Sequence, residues 1–344
     1  MNFLETHSFK SELYVKSEND SVICLACRRK CKISEGNSGF CKVRFNKKGF
    51  LMVPYGYVSA LNIDPIEKKP VYHFMPGSDT LSFGMLGCNF RCDYCQNYEI
   101  SQVFSDENIK NISFRDISSD EIVSIAEDNN IKIIVSTYNE PTVSIEWALE
   151  IFKKAKNKIK SAKTGFVSNG YLSDEALEYI DDHVDFIRVD LKSFNSERFK
   201  KLTKANLKDL IVSIEKIYKK GFHLEIVTLI VEGFNDTKQE LKEMAFFIKS
   251  LSSDIPWHIT RSHPDYKMSD INTPEAKKMD DLISYAKSLG LNYVYGGNYD
   301  TSYKDTLCPK CGEKIFERGY MSLKYYGIKE DLCPKCGGKI YGVY

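Results

Sequence analysis

Three closely spaced cysteines follow a short apolar run and are the first residues in this sequence with evident chemical potential. The segment LSFGMLGCNFRCDYCQNYEIS (81–101) contains Cys88, Cys92 and Cys95 in the spacing C-x3-C-x2-C, with no fourth cysteine nearby. Iron–sulfur clusters are normally held by four cysteines. Three thiolates on one tight loop can therefore bind three irons of a four-iron, four-sulfur cube and leave the fourth iron free to chelate a substrate. The alternative is a structural zinc site with a distant fourth ligand.

A second group of cysteines lies near the start of the chain, in the run CLACRRKCKISEGNSGFC. Its members are Cys24, Cys27, Cys31 and Cys41. The turn-rich segment 35–39 allows the last of them to return towards the others. The spacing fits neither the paired knuckles of a zinc ribbon nor the bacterial ferredoxin run. It predicts a second metal centre, either zinc or an auxiliary iron–sulfur cluster, with an unmetallated set of thiols as the remaining alternative.

Basic side chains lie between the cysteines of this second group, at Arg28, Arg29, Lys30 and Lys32. Three interpretations fit them. They offset the charge of the thiolates, they dock an acidic electron donor such as a flavodoxin or ferredoxin, or they form a solvated basic face.

The third group is Cys308, Cys311, Cys333 and Cys336, which form two C-P-x-C-G knuckles separated by 21 residues, 312 to 332. Proline and glycine set the turns of each knuckle, and paired knuckles are typical of a zinc ribbon. We therefore expect one structural zinc. A ribbon of this kind either stabilises the fold or offers a contact surface for protein or RNA.

The composition narrows the class of protein. Lys and Arg number 48 against 47 Asp and Glu, for a net charge of +1, which gives no sign of nucleic-acid or membrane binding. The chain does not open with a basic segment followed by an apolar one, and no run of about 18 apolar residues occurs. The odd total of 11 cysteines disfavours a complete disulfide framework and fits reduced, metal-bound thiols. We expect a cytoplasmic protein.

Six short apolar runs alternate with helical segments in the middle of the chain. They are expected to form buried parallel strands at 81–86, 131–136, 164–168, 184–190, 222–231 and 255–260. Helix-start signals occur at Pro141, at Thr237 with Glu240 in a capping box, and at Thr273 before Pro274. The alternation predicts an α/β fold, as a complete or partial β/α barrel. In such barrels the chemistry lies at the carboxyl ends of the strands.

Several runs together resemble one family. They are DPIEKKPVYHFMPG (64–77), GCNFRCDYCQNYEIS (87–101), STYNEP (136–141), VSNGYL (167–172), DLKSFN (190–195) and PWHITRSHPDYKM (256–268). They look like the radical S-adenosylmethionine (SAM) enzyme of the AmmeMemoRadiSam system, a relative of the pyruvate formate-lyase activating enzymes. The resemblance implies a partial (β/α)6 TIM-type radical SAM barrel at 67–300, with the four-cysteine module at 1–66 and the ribbon at 301–344. It also implies a 4Fe-4S cluster on the central cysteines and SAM as its ligand.

The resemblance implies a role for Glu140, which ends STYNEP where the activating enzymes have the glutamate of a glycine-glycine-glutamate motif. Glu140 is then expected to hydrogen-bond the amino group of SAM. Tyr138 and Asn139 replace the two glycines of that motif. The backbone at this point can therefore approach SAM differently from the backbone of the activating enzymes. The alternative is a carboxylate that faces the start of a helix.

Further SAM contacts are expected at the ends of later strands. Asn169 is placed for the carboxylate or ribose, or else forms a plain Asn-Gly turn. Asp190 and Lys192 are implied near the ribose and sulfonium, with a surface ion pair as the alternative. His258 matches a ribose-contacting histidine, although a lone histidine on an apolar strand is often a core residue.

Polar residues near the cluster loop complete the predicted site. Gln96 and Asn97 are expected to lie near the adenine edge or the cluster sulfurs. Tyr72 and His73 are expected to cover the mouth of the barrel.

The expected function is reductive cleavage of SAM, which generates a carbon radical that acts on an unidentified protein or small molecule. One alternative is a glycyl-radical-enzyme activase. Another is a non-catalytic metal-binding adaptor that contacts protein or RNA through the ribbon. The expected partners are a flavodoxin or ferredoxin as electron donor and, through the system name, Memo-family and AMMECR-family proteins.

Overall fold

The chain, which the computed structural model describes from residue 3 to residue 344, begins with a short helix and two small antiparallel sheets. These elements are α1 (Phe3–Thr6), β1 (Ser8–Lys10), β2 (Tyr14–Lys16), β3 (Val22–Cys24), β4 (Lys32–Ile33), β5 (Phe45–Lys47) and β6 (Phe50–Pro54). One sheet has the order β1-β6-β5 and the other β2-β3-β4. The β3–β4 hairpin loop contains Cys27 and Cys31, whereas Cys41 lies on the separate segment before β5.

The main sheet contains eight strands. The strands that follow in the chain are β7 (Tyr57–Val58), β8 (Ala60–Pro65), β9 (Asp79–Gly84), β10 (Arg115–Asp116), β11 (Ile133–Ser136), β12 (Lys163–Ser168), β13 (Phe186–Asp190), β14 (His223–Ile230), β15 (Trp257–Arg261) and β16 (Val294–Gly297). The sheet order is β16-β15-β14-β13-β12-β11-β9-β8, and β7 pairs with β10. All neighbours in the main sheet are parallel except β8 and β9, which are antiparallel.

The predicted α/β class is confirmed, and each of the six predicted strands is present. The main sheet contains two strands, β8 and β16, in addition to the six that the sequence predicts. β16 has the sequence VYGG, whose glycines hide the strand pattern. β8 was assigned by the predicted boundary at residue 66 to the N-terminal module, but it pairs with β9 along its whole length and so belongs to the main sheet.

Helices cover the sheet between successive strands. They are α2 (Tyr98–Ser101), α3 (Ser119–Asp128), α4 (Ile145–Lys158), α5 (Asp174–Ile180), α6 (Ser196–Thr203), α7 (Leu207–Lys219), α8 (Lys238–Leu251) and α9 (Ala276–Ser288), with 3-10 turns at Ile66–Lys68 and Pro141–Ser144. The inner face of α4 is apolar and buried, with Trp147, Ile151 and Ala155 fully inside the core. No helix within residues 3–344 is both long enough and apolar enough to cross a membrane.

The helix start predicted at Thr237 is confirmed, whereas its capping box is incomplete and the start predicted at Thr273 is displaced. Thr237 caps α8 by accepting from the backbone N–H of Glu240 at 3.2 Å. The Glu240 carboxylate does not close the capping box, because it instead accepts from the backbone N–H of Phe194 at 2.8 Å. The start expected at Thr273 falls later, since α9 begins at Ala276.

The C-terminal segment forms a small three-stranded antiparallel sheet. Its strands are β17 (Thr306–Leu307), β18 (Lys314–Arg318) and β19 (Leu323–Tyr326). The segment packs on the main sheet through Arg318, which is buried and donates to the carbonyl oxygen of Tyr72 at 2.8 Å. The last residues pair with the chain before β9, where Met75 N donates to Val343 O at 2.7 Å.

Candidate active site

A cavity of about 700 Å³ opens at the carboxyl ends of the parallel strands. Nine of the ten residues predicted to hold the cluster or SAM line it. They are Cys88, Cys92, Cys95, Gln96, Asn97, Glu140, Asn169, Asp190 and Lys192. The ends of parallel strands meet at one edge of the sheet, which explains why residues so far apart in the chain share one cavity.

The loop that contains the three cysteines is held rigidly where it leaves β9. Gly87 has φ of +88°, and a Cβ there would lie 2.7 Å from Val43 Cγ1, so only glycine fits. Asn139 contacts the other side of the loop through two hydrogen bonds. Its Oδ1 accepts from Met85 N at 3.0 Å, and its Nδ2 donates to Gly87 O at 3.0 Å. Asn139, which replaces a glycine of the activating enzymes, therefore positions the cysteine loop.

The three thiols suit a polynuclear cluster better than a single ion. Among the described residues 3–344, no group of three metal-ligating atoms within 4.8 Å of one another includes Cys88, Cys92 or Cys95. At least one sulfur–sulfur distance in this trio therefore exceeds 4.8 Å, compared with the roughly 3.8 Å of a tetrahedral zinc site. Burial raises the pKa of all three, to about 12 for Cys92, and a bound cation would oppose that rise.

Glu140 is buried at the cavity wall and is already hydrogen-bonded. Its Oε1 accepts from Thr142 N at 3.1 Å and from Ser168 Oγ at 2.7 Å, and its Oε2 accepts from Asn169 N at 2.8 Å. Burial raises the pKa of Glu140, and these hydrogen bonds oppose the rise. Glu140 thus caps the turn Pro141–Ser144 and also lines the cavity. It combines the helix-start role with a position at the cavity wall.

The residue before Asn139 has an unusual backbone conformation. Tyr138 has φ of +71°, in the left-handed region that glycine favours, so the chain retains a glycine-like bend with a bulky side chain. The phenol oxygen accepts from Asn62 Nδ2 at 3.0 Å, and the Tyr138 carbonyl accepts from Asn97 Nδ2 at 2.8 Å. Asn97 thereby links the cysteine loop to the end of β11.

Asn169 lies against the cysteine loop. Its Nδ2 donates to Asn89 Oδ1 at 2.6 Å and lies 4.0 Å from Cys88 Sγ. Its Oδ1 accepts from Tyr171 N at 3.1 Å, as in an Asx turn. Gly170, with φ of +74° and only 2.6 Å between an added Cβ and Val189 Cγ1, makes the turn possible.

Asp190 and Lys192 form a partly buried ionic cluster with Arg188. Lys192 Nζ lies 3.2 Å from Asp190 Oδ2, and Arg188 binds the other carboxylate oxygen. Burial acts to raise the pKa of Asp190, but the charges of Arg188 and Lys192 outweigh it and hold the pKa below the ordinary value. The pair therefore lies inside the cavity wall and is no surface ion pair.

His258 lies in the core and does not line the cavity, contrary to the expected ribose contact. It is 1% exposed and donates to Glu225 Oε2 at 2.6 Å. Glu225 also accepts from the backbone N–H groups of Tyr72 and His73, at 2.9 and 2.8 Å. Tyr72 does line the cavity, as expected, but His73 is fully buried and donates or accepts at Tyr295 Oη, 2.6 Å away.

Residues that sequence reasoning missed complete the cavity wall. Arg188 was overlooked, although a charge inside an apolar strand signals a buried polar contact. The hairpin loop of the C-terminal sheet also reaches the cavity through Tyr320, Met321 and Ser322, and no local pattern in the sequence indicates this.

The C-terminal cysteines are arranged for one metal ion. The sulfurs of Cys308, Cys311, Cys333 and Cys336 all lie within 4.8 Å of one another. Cys308 Sγ is 3.7 Å from Cys336 Sγ, and Cys311 Sγ is 3.7 Å from Cys333 Sγ. A tetrahedral zinc with bonds of about 2.3 Å separates its sulfurs by roughly 3.8 Å, so this group can bind a metal.

The N-terminal basic residues are used for packing. Arg28 pairs with Asp174 at 2.7 Å and Lys30 with Glu175 at 2.6 Å, both on α5. Arg29 Nε donates to Asn89 O at 2.7 Å. Three of the four side chains therefore fasten the N-terminal module to the barrel.

Comparison with known proteins decides the family. The Radical SAM superfamily profile matches residues 84–248. The uncharacterized protein MJ0808 of Methanocaldococcus jannaschii is 37% identical over 314 residues, which cover 90% of this chain and 92% of that protein. The chain belongs to the radical SAM superfamily. Radical SAM proteins use a 4Fe-4S cluster and SAM to catalyse radical reactions, so both are implied here.

Two further relatives are less similar to this chain. The putative glycyl-radical enzyme activating enzyme MJ1632 of Methanocaldococcus jannaschii is 26% identical over 235 residues, which cover 66% of this chain and 83% of that protein. The pyruvate formate-lyase-activating enzyme of Clostridium pasteurianum is 23% identical over 234 residues, which cover 62% of this chain and 92% of that protein. The radical SAM family prediction is confirmed at this level.

Proposed function

We propose that this radical SAM protein reductively cleaves SAM at a 4Fe-4S cluster on Cys88, Cys92 and Cys95, and that the resulting carbon radical attacks a protein or small-molecule substrate. The observation that carries the proposal is that these three thiols open into one cavity with the polar strand ends, and that the lining residues include no fourth cysteine. Three thiolates leave one iron of a cube without a protein ligand. When bound, the cluster supplies the electron that breaks a carbon–sulfur bond of SAM.

The chain's own residues bind and orient SAM and exclude water. Glu140 presents a carboxylate at the cavity wall, where a charge-assisted hydrogen bond to an amino group is strongest. Asp190 is held ionised by Arg188 and Lys192, which suits an acceptor for ribose hydroxyls. Gln96 and Asn97 line the rim beyond the cysteine loop and are proposed to contact the adenine edge.

Similarity to other proteins supports two versions of the proposal. The activating-enzyme relatives favour a glycyl-radical enzyme as target. The motifs shared with the AmmeMemoRadiSam system favour a target that works with Memo-family and AMMECR-family proteins. In both versions a flavodoxin or ferredoxin supplies the electron, and a cytoplasmic setting is proposed because the odd number of cysteines, 11, disfavours a complete disulfide framework.

The C-terminal cysteines are proposed to bind zinc, because their sulfur spacing matches the tetrahedral geometry of that ion. Metal analysis of the full chain tests this. One zinc per chain, lost in Cys311→Ala, supports it. Iron at this site contradicts it.

Anaerobic incubation of SAM with dithionite and the reconstituted protein tests the proposed reaction. Chromatography is expected to show methionine and 5′-deoxyadenosine, which are the products of cleavage on the ribose side. Methylthioadenosine would instead indicate cleavage on the methionine side. If neither nucleoside exceeds its level in the Cys88→Ala, Cys92→Ala and Cys95→Ala variants, with a full cluster in the wild type, the enzymatic proposal is wrong and a metal-binding adaptor is favoured.

A further inference from the structure

The four N-terminal cysteines line one small cavity behind the cysteine loop. Its lining also includes Arg29 and Phe40. Cys24 and Cys41 are buried, whereas Cys27 and Cys31 are partly exposed. The four thiols thus meet at a pocket near the surface, which the spacing of the cysteines in the sequence predicts without identifying the metal.

The spacing of these thiols differs from that of the C-terminal group. Within the described chain, residues 3–344, no three of Cys24, Cys27, Cys31 and Cys41 have sulfurs within 4.8 Å of one another. The C-terminal group, in the same structure, satisfies that limit with all four of its sulfurs. The N-terminal thiols share their wide arrangement with the central trio, for which radical SAM membership implies a 4Fe-4S cluster. Thiolates around a multi-iron core must stand further apart than the ligands of one ion.

Two buried donors in the cavity lining point to additional acceptors. Arg44 and Asn89 both line the cavity and are 2% and 1% exposed. Arg44 Nε and Asn89 Nδ2 have no hydrogen-bond partner among the residues that the structure describes. A buried hydrogen-bond donor without an acceptor lowers the stability of the folded protein. The inorganic sulfides of a cluster would satisfy them, whereas a zinc ion brings no acceptor of its own.

The cavity adjoins the proposed active site. Asn89 follows Cys88 directly, so consecutive residues line the two cavities. Asn89 Oδ1 accepts from Asn169 Nδ2 at 2.6 Å, which joins the N-terminal pocket to the SAM side of the barrel. On the other side, Cys27 forms an isolated β-bridge with Leu172, just after Asn169.

We propose that Cys24, Cys27, Cys31 and Cys41 hold an iron–sulfur cluster that relays electrons to the cluster on the central cysteines. A low-potential one-electron donor, such as a reduced flavodoxin or ferredoxin, gives one electron to this cluster at the exposed Cys27 and Cys31 rim and is itself oxidised by one electron. The N-terminal cluster then passes the electron past Asn89 to the central cluster and returns to its oxidised state. The relay rests on the proposed function, but the presence of the N-terminal cluster does not.

Metal and sulfide counting tests the cluster separately from SAM cleavage. The triple variant Cys88→Ala, Cys92→Ala, Cys95→Ala is expected to retain four irons, four inorganic sulfides and one zinc per chain. Two zincs and no iron would overturn the proposal, as would one zinc and no other metal. If the triple variant does not fold, the wild-type chain decides: eight irons with one zinc support the proposal, and four irons with either one or two zincs overturn it.

A matched pair of variants tests the relay. Cys27→Ala is expected to slow SAM cleavage driven by reduced flavodoxin by more than an order of magnitude while the central cluster remains fully loaded. Cys311→Ala, which alters a thiol of the C-terminal group, is expected to leave the flavodoxin-driven rate within about twofold of wild type. Equal rates for Cys27→Ala and wild type would overturn the relay, even if iron counting supports the cluster.

Discussion

The N-terminal and C-terminal modules each contain four cysteines, but they arrange them differently. In the C-terminal ribbon each knuckle closes a tight turn, in which Gly312 N donates to Cys308 O and Gly337 N to Cys333 O, both at 2.9 Å. Two such turns face each other and bring the sulfurs to tetrahedral spacing. The N-terminal set combines one hairpin loop with a separate segment, so its sulfurs surround a cavity. Equal cysteine counts therefore do not imply equal metal centres.

The two modules also lie on different sides of the active site. The N-terminal module packs behind the cysteine loop through Arg29 and Asn89. The ribbon extends Tyr320 and Met321 into the cavity lining. The N-terminal module therefore lies against the cysteine loop, and the ribbon forms part of the cavity wall.

The largest predicted effect comes from comparing two variants. One removes a thiol of the central group and the other removes a thiol of the ribbon. Cys92→Ala is expected to abolish SAM cleavage, because the cluster loses one of only three protein ligands. Cys311→Ala is expected to lose the zinc but retain cleavage. Zinc analysis and nucleoside chromatography on both variants check this. Full SAM cleavage by Cys92→Ala would contradict the prediction, because the central thiols would then matter no more for the reaction than those of the ribbon.

A buried ion pair anchors the N-terminal module. Arg44 Nη1 and Nη2 each lie 2.7 Å from a carboxylate oxygen of Glu146 on α4, and both side chains are almost fully buried. Glu146→Gln leaves the Arg44 charge uncompensated and is expected to lower the free energy of unfolding by about 3–5 kcal/mol. Denaturant unfolding measures it. The exposed pair of Lys277 and Asp281 is the control, since Asp281→Asn is expected to cost less than ~1 kcal/mol.

A second buried carboxylate, Glu225 on β14, has a predicted pH dependence. Burial acts to raise its pKa, but hydrogen bonds from His223 and His258 hold the pKa well below the ordinary value. Glu225 therefore stabilises the fold at pH values above the ordinary glutamate pKa, and this contribution falls as the pH drops towards the lowered pKa. Glu225→Gln is expected to cost roughly 1.5–3 kcal/mol at neutral pH, with a smaller difference from wild type in acid. A difference that does not change with pH would contradict this.

Between the two modules, Glu140 is predicted to affect SAM binding alone. Glu140→Gln removes a charge-assisted hydrogen bond worth about 1.5–3 kcal/mol, which corresponds to roughly 10- to 150-fold weaker binding. Anaerobic titration of the reconstituted protein with SAM measures this. Glu150→Gln, on the outer face of α4, is the matched control and is expected to bind SAM normally. Equal affinity in both variants would leave Glu140 only its helix-start role.

Much of the site could be predicted because strand ends converge. Cys88, Glu140, Asn169 and Asp190 each follow a recognisable apolar strand, and parallel strands bring such residues together. His258 follows the same rule and yet lies in the core. The deciding contact is with Glu225 on the neighbouring strand, a buried charge whose partner depends on strand register and cannot be found from either segment alone.

Long-range packing accounts for the remaining differences. The reach of Tyr320 into the cavity depends on how the ribbon docks through Arg318 and Tyr72, far away in the chain. The anchoring role of Arg28 and Lys30 depends on acidic residues of α5. From the sequence alone, a charged side chain is as compatible with exposure to solvent as with an ion pair. Only its neighbours in the folded structure distinguish the two cases.

The central claim is that the cluster on Cys88, Cys92 and Cys95 has an iron open to SAM. The most direct measurement is electron paramagnetic resonance of the reduced protein with SAM isotopically labelled at its amino nitrogen, combined with a pulsed method that resolves nuclear coupling. We predict coupling between that nitrogen and the cluster spin in the wild type and in Cys311→Ala. Binding of SAM without any such coupling would contradict the claim.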